Sequence, residues 1–154
     1  MRGVTFSEFG NGQNVDMFVQ APDVIPRSPF IEAIETAKKI RQKFSKDLYV
    51  WCDYSVQHMY SQIAMQGFKM AGIDFVAAIP VLSNDLSKRE NDCTIAYCES
   101  RGIKYELFPI DVPALFDGDE FEYYGEKFPT TQPQMTIAGK FFDLLPDCCI
   151  VYPG

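Results

Sequence analysis

No run of apolar residues in this chain approaches the roughly 20 that a membrane-spanning helix needs. The opening MRGVTFSEFGNGQ also lacks an apolar stretch of the signal-peptide kind, so a cytoplasmic location is the expectation. Positive charge is scarce as well. There are 14 Lys and Arg against 21 Asp and Glu, a formal net charge of -7, which opposes attraction to a nucleic-acid backbone or an anionic membrane surface. Neither is expected as a partner. Histidine occurs once, at His58, too few for a His-based metal site. The cysteines are an odd five, Cys52, Cys93, Cys98, Cys148 and Cys149, without the spacing of a zinc site or a disulfide framework. Cys52, Cys148 and Cys149 lie in strand-like apolar runs and read as small buried hydrophobes in a reducing compartment.

What is present suits one globular domain: 154 residues, 47% apolar, 14% aromatic and 23% charged. Residues 1–27, rich in Gly, Asn and Pro, read as an extended arm with one short strand in VDMFVQ, 15–20. The domain proper is expected over 28–154. SPFIEAIETAKKIRQKF opens with Ser28 as N-cap and Pro29 at the first helical position. Phe30, Ile31, Ile34, Ala37, Ile40 and Phe44 fall on one helical face. LYVWC, 48–52, is a short β-rich run, and from Val56 the period becomes helical through Met59, Tyr60, Ile63, Ala64, Gly67, Phe68 and Ala71, closed by Gly72.

DFVAAIPVL, 74–82, is the continuous apolar run of a strand buried on both faces. Ser87 and Glu90 have capping-box spacing at the head of the next helix, which ends at Gly102. IKYELFPID, 103–111, is a third strand. The acidic, aromatic stretch VPALFDGDEFEYYGEKFPTTQP then reads as a structured surface connection. A last helix, roughly 133–145, leads into CCIVY, 148–152. Strand and helix alternate, so the expected fold is an α/β three-layer sandwich: a mostly parallel sheet of four to five strands, helices on both faces and right-handed crossovers.

Ligands in such sheets bind beyond the carboxyl ends of the strands, and the first strand-to-helix turn is the usual phosphate site. Here that turn is Asp53, Tyr54, Ser55, Val56, Gln57 and His58. Cys52 and His58 straddle it, but a thiolate and imidazole pair is less expected than a packed cysteine and a helix-start histidine. Asn84, Asp85, Glu90, Asn91 and Asp92 form a polar cluster after the second strand, for which a solvated loop with a capping box is preferred over a divalent-ion site. The aromatics Phe116, Phe121, Tyr123, Tyr124 and Phe128 stand among acids. That argues against base stacking and for a protein-binding patch or a loop pinned to the sheet.

Five segments, in order and spacing, resemble the PP-loop ATP pyrophosphatase superfamily of adenine nucleotide alpha hydrolase-like fold. They are SPFIEAIETAKKI, VWC, AGIDFVAAIPVLSNDLSKREND, AYCESRGIKYELFPIDV and, more weakly, TTQPQMTIAGKFFDLLPDCCIVYPG. The nearest likeness is to the small phosphoadenylylsulfate-reductase-like and asparagine-synthase-like proteins of tailed phages, which implies a phage-encoded, structural or assembly context. The resemblance also implies strand order 3-2-1-4, leaving the fourth strand at an edge where self-association or a protein partner is expected. A retained nucleotide site would use residues 53 to 58 with Leu82 and Ser83, and magnesium would sit on Asp53 and Asp85.

The family's turn is Ser-Gly-Gly-x-Asp-Ser, in which glycines let backbone N–H groups close around the pyrophosphate at a helix N-terminus. Both glycines are replaced here. Tyr54 adds a ring where backbone must approach closely, and Asp53 adds a repulsion of roughly 1 kcal/mol at 4 Å in water and roughly 4 kcal/mol at an effective dielectric of 20. Only a bridging Mg²⁺ would reverse that sign. The expectation is therefore a non-catalytic PP-loop-like domain without cofactor, acting through protein contacts. The alternative is a divergent pyrophosphatase or nucleotide binder using ATP with magnesium.

Overall fold

The computed structural model describes residues 2–9, 13–19, 28–52, 59–83, 87–127 and 134–153, the first two ranges by their backbone alone. Strands β1 (Arg2–Phe9) and β2 (Gln13–Val19) pair antiparallel as a two-stranded sheet. VDMFVQ falls largely in β2 as expected; β1 is a second strand where one was expected, since Val4 and Phe6 alternate too briefly to mark it.

Helix α1 (Pro29–Lys43) starts with Pro at its first position, and the Ser28 carbonyl accepts from the N–H groups of Ile31 and Glu32. The Ser28 hydroxyl makes no capping bond. There follow β3 (Leu48–Trp51), α2 (Met59–Met70), β4 (Val76–Leu82), α3 (Lys88–Arg101) and β5 (Tyr105–Ile110). Gly72 and Gly102 end α2 and α3 with φ of 66° and 58°, left-handed values that only a residue without Cβ takes at little cost. The expected surface connection is in fact two short helices, α4 (Val112–Asp117) and α5 (Asp119–Lys127). Asp111 caps α4 by accepting from the Ala114 N–H at 3.2 Å, and Pro113 sits where a helix start tolerates it. Proline and glycine that looked like loop punctuation thus mark helix ends. Helix α6 (Gln134–Leu144) and strand β6 (Cys149–Val151) complete the chain.

The four-stranded sheet is wholly parallel, in order β5-β4-β3-β6, which is 3-2-1-4 when these strands are counted along the chain. Successive residues of a strand face opposite sides, and the core divides accordingly. Leu48, Val50 and Cys52 join Ala37 of α1, Met65 and Phe68 of α2 and Cys98 of α3 on one face. Tyr49 and Trp51 join Leu115 of α4, Tyr124 of α5 and Ala138 and Phe141 of α6 on the other. Three layers result.

The apolar stripe on α1 is covered only in its middle: Phe30, Ile31 and Phe44 remain 49%, 46% and 41% exposed. On α2 the expected face is shifted too, since Tyr60 is exposed while Ser61 and Met65 are buried. Helices α1 and α2 pack closely at Gly67, where an added Cβ would come within 2.8 Å of Ala33 Cβ and 2.9 Å of its carbonyl carbon and oxygen. Backbone cannot yield there as a flexible side chain would. Gly67→Ala is therefore expected to destabilise by about 1–3 kcal/mol through overpacking. Gly125→Ala, inside α5 with nothing within 4 Å of its Cβ, should stabilise by about 0.5–1 kcal/mol. Urea denaturation of the two variants against wild type reads both signs, and equal effects would contradict the close α1–α2 approach.

Candidate functional site

Two regions were candidates: the carboxyl edge of the parallel sheet and the aromatic connection after β5. At the first, Asp53, Tyr54, Ser55, Val56, Gln57 and His58 lie outside the described residues, as does Asp85. The strand ends that frame them are described. Cys52 follows β3, its N–H donating to the Ala78 carbonyl at 2.9 Å. Its thiol is 2% exposed and points into the helix-covered core, near the Val50 carbonyl at 3.7 Å and the Met65 sulfur at 3.8 Å. Burial pushes that thiol far above the usual cysteine range, with the neighbouring Cys98 adding to the effect. Cys98 itself is raised to about 11 by its own burial. A thiol that stays protonated is not a nucleophile at neutral pH, in keeping with a packing role.

Beside it, Leu82 and Ser83 end β4, half-buried. The Ser83 N–H donates to the Ile110 carbonyl at 2.9 Å and its hydroxyl oxygen accepts from the Val112 N–H at 2.9 Å, tying β4 to the start of α4. Ser87, expected as the cap of α3, makes no capping bond. Its buried hydroxyl instead accepts from the Leu82 N–H at 3.1 Å and from the Asn91 amide at 2.8 Å. The Leu82 N–H at the end of β4 draws the hydroxyl away from its helix, so the expected capping box does not form. Of the polar cluster, Asn91 is buried on Ser87, Asp92 pairs with Lys88 at 3.3 Å on the surface, and Asn84 lies outside the described residues. The described polar groups along this edge spend their hydrogen bonds on turns. One exception is the Trp51 indole N–H, buried with no partner among the described residues while its ring packs on Phe141, Phe142 and Tyr152 at 5.0 to 5.2 Å. Among the described residues no group of His, Cys, Asp and Glu is placed to hold a metal ion.

The second region is preformed. Leu115 and Tyr124, 1% and 3% exposed, anchor α4 and α5 on the sheet. The Tyr124 hydroxyl donates to Asp143 Oδ2 of α6 at 2.8 Å, and Lys127 Nζ reaches the same carboxylate at 3.1 Å. Tyr124, expected at an interface, is therefore a buried anchor. Phe116 and Phe121 stack with centroids 5.1 Å apart and stay more than a third exposed, while Tyr123, edge-on to Tyr124 and with Lys127 Nζ 5.2 Å from its ring centroid, is about half exposed. Between the two helices is a shallow groove of about 590 Å³ lined by Phe116, Gly118, Phe121, Glu122, Gly125 and Glu126. Phe128 lies outside the described residues. A third feature carried no sequence signal: an apolar groove of about 620 Å³ between α1, α2 and Val151 to Pro153, created only when the two helices leave Pro29, Tyr60 and Tyr152 at their rim.

No protein-family model and no curated protein matches the chain. No helix among the described residues is long and apolar enough to cross a membrane.

Two measurements test this geometry. Brief treatment of the native protein with iodoacetamide at about pH 8 should label the exposed Cys93 and spare Cys52 and Cys98 until denaturant is added, because alkylation requires the thiolate and access to it. Mass spectrometry of the tryptic peptides locates the adducts, and prompt native labelling of Cys52 would contradict its burial. Tyr124 gives a pH test. Burial first, then its bond to Asp143, raises its pKa, so the unfolded chain loses this proton earlier than the folded one. The stabilisation is complete below about pH 10, the unfolded value, and is lost as pH rises toward the folded value. Tyr124→Phe should cost about 1 kcal/mol at pH 7 and make the fall in melting temperature above about pH 10 shallower than in wild type.

Proposed function

We propose that this chain is a non-catalytic PP-loop-like domain that works through protein contacts made by its α4–α5 face. The observation that carries the reading is the Phe116–Phe121 stack with Tyr123, exposed on a support made rigid by Leu115, Tyr124 and the Tyr124–Asp143 bond. Aromatic side chains give large contact area for little lost conformational entropy, and they are enriched where interfaces bury their centres. A rigid mount spares the binding step the cost of ordering the loop.

Two further features support it. The four-strand order is the one the resemblance implies. The serines and aspartate at the described carboxyl edge, Ser83, Ser87 and Asp111, serve the chain's own backbone, and the family's glycine pair is replaced in the sequence. The working location is the cytoplasm, in a phage-encoded or assembly setting.

Thermal melting with and without millimolar ATP and Mg²⁺ separates this reading from the nucleotide-binding alternative. A ligand at 100 times its Kd stabilises by about 2.7 kcal/mol, and no shift is expected. In parallel, chemical crosslinking in the native source should trap a partner with the wild-type chain and lose it with Phe116→Ser plus Phe121→Ser. A shift with ATP that Asp53→Ala alters would instead assign the protein to the nucleotide binders.

A further inference from the structure

The exposed aromatics share their face with an unusual charge distribution. Residues 117–126 contain five carboxylates, Asp117, Asp119, Glu120, Glu122 and Glu126, and no cation. Glu120 is paired with Lys140, but Asp117, Asp119, Glu122 and Glu126 have no cationic partner among the described residues. The converse stands at the C-terminal half of α1 and the turn after it. Residues 38–46 contain five cations, Lys38, Lys39, Arg41, Lys43 and Lys46, and no carboxylate. Lys38 is held by Glu35, Arg41 by the carbonyls of Ser45 and Lys46, and Lys46 by Asp147. Among the described residues Lys39 and Lys43 have no carboxylate partner; Lys43 Nζ lies 5.4 Å from the centroid of the Phe44 ring, which is 41% exposed.

The two surfaces also agree in spacing. Lys39 and Lys43 are one helical turn apart on α1, as Glu122 and Glu126 are on α5, and each pair is offset by about 6 Å along its axis. Phe44 adds an exposed apolar ring to this end of α1. Gly125, at the groove's edge, has nothing within 4 Å of where a Cβ would stand. A glycine inside a helix costs about 1 kcal/mol, and no packing among the described residues requires it. It leaves that part of the groove lining bare for close approach by another molecule. The two surfaces cannot meet within one chain, because α1 lies on one face of the sheet and α4 and α5 on the other.

We propose that the occupant of the α4–α5 groove is a second copy of this chain, which inserts the basic end of α1, Lys39, Lys43 and Phe44, against Glu122, Glu126 and the Phe116–Phe121 stack. This rests on the α4–α5 contact reading above and names its partner. The contact joins unlike surfaces, so it is heterologous. Each added copy leaves one basic end and one acidic groove open, and growth continues into a ring or filament and does not stop at a twofold dimer.

Sedimentation velocity on the purified full chain tests this, at roughly 0.1 M and roughly 1 M salt, where the Debye length is about 10 Å and 3 Å. The lower salt damps repulsion between molecules of net charge -7 while leaving contact pairs intact. Expected is a mass that rises with concentration past two copies at the lower salt and returns toward monomer at the higher. K39E/K43E and E122K/E126K should each be monomeric. Mixed in equal amounts they should associate again and grow past two copies, because the groove of the first variant takes the basic end of the second and the two reversed surfaces are once more opposite in sign. E122Q/E126Q, which alters shape least, should weaken association by about tenfold, and unchanged melting temperatures certify that the variants are folded. A monomeric wild type, association that survives both charge reversals, or a mixture that stays monomeric overturns the inference. If the monomeric chain still crosslinks another protein through Phe116 and Phe121, the contact reading survives. If loss of those rings changes nothing, both fall.

Discussion

The structure depends on the burial of β3 from both sides. This four-residue strand lies between β4 and β6, with Val50 fully buried and Leu48, Tyr49 and Trp51 nearly so. Parallel strands need crossovers, and crossovers place helices on the faces, so a central parallel strand must be apolar on both sides or leave one layer unattached. LYVW meets that demand with residues of different kinds. Leu48 and Val50 fill the side where α1, α2 and α3 pack, while Tyr49 and Trp51 supply rings to the aromatic cluster under α6. The Tyr49 hydroxyl leaves that cluster to donate to Glu106 of β5 at 3.1 Å.

That division sorts the rest of the molecule. On the α1–α2 side the contacts are aliphatic and close, with Gly67 set against the Ala33 backbone and Cys52 and Cys98 serving as small apolar groups whose thiols burial keeps protonated. On the α6 side the contacts are aromatic and end in a polar tie, Tyr124 and Lys127 on Asp143. Lys127 and Tyr124 hold the Asp143 carboxyl below the usual carboxylate range, so this tie stays charged throughout the neutral region. It fixes α5, and with α5 the direction in which Phe121, Glu122 and Glu126 are presented. The aromatic patch is thus a product of the core beneath it.

Charge follows the same partition. The cations of α1 gather at its C-terminal end, where they complement the helix dipole, and the carboxylates of α5 start at its N-terminal end for the same reason. Local helix electrostatics account for the sign at each place. They do not require Lys39 and Lys43 to lack a carboxylate among the described residues, nor Glu122 and Glu126 to line a groove with Phe116 and Phe121. Those features come from the layers that α1 and α5 occupy on opposite faces of the sheet.

The sequence by itself determined the alternation of elements, the parallel sheet and the glycine stops at Gly72 and Gly102, because periodicity and left-handed caps are local properties of the chain. It also read Cys52 as a packed residue, which its burial bears out, and left the aromatic stretch open between a protein-binding patch and a loop pinned to the sheet. Helices α4 and α5 were not legible, since Pro113 and Gly118 read as loop residues until Asp111 is seen to cap a helix that one of them begins and the other ends. Only the tertiary structure decided where Ser87 bonds, because the Leu82 N–H that recruits it lies at the end of a strand. The same holds for which ring of the Tyr123–Tyr124 pair is buried and for how much of the α1 stripe is covered. Burial is settled by the neighbours that packing brings up, and those neighbours are distant in the chain.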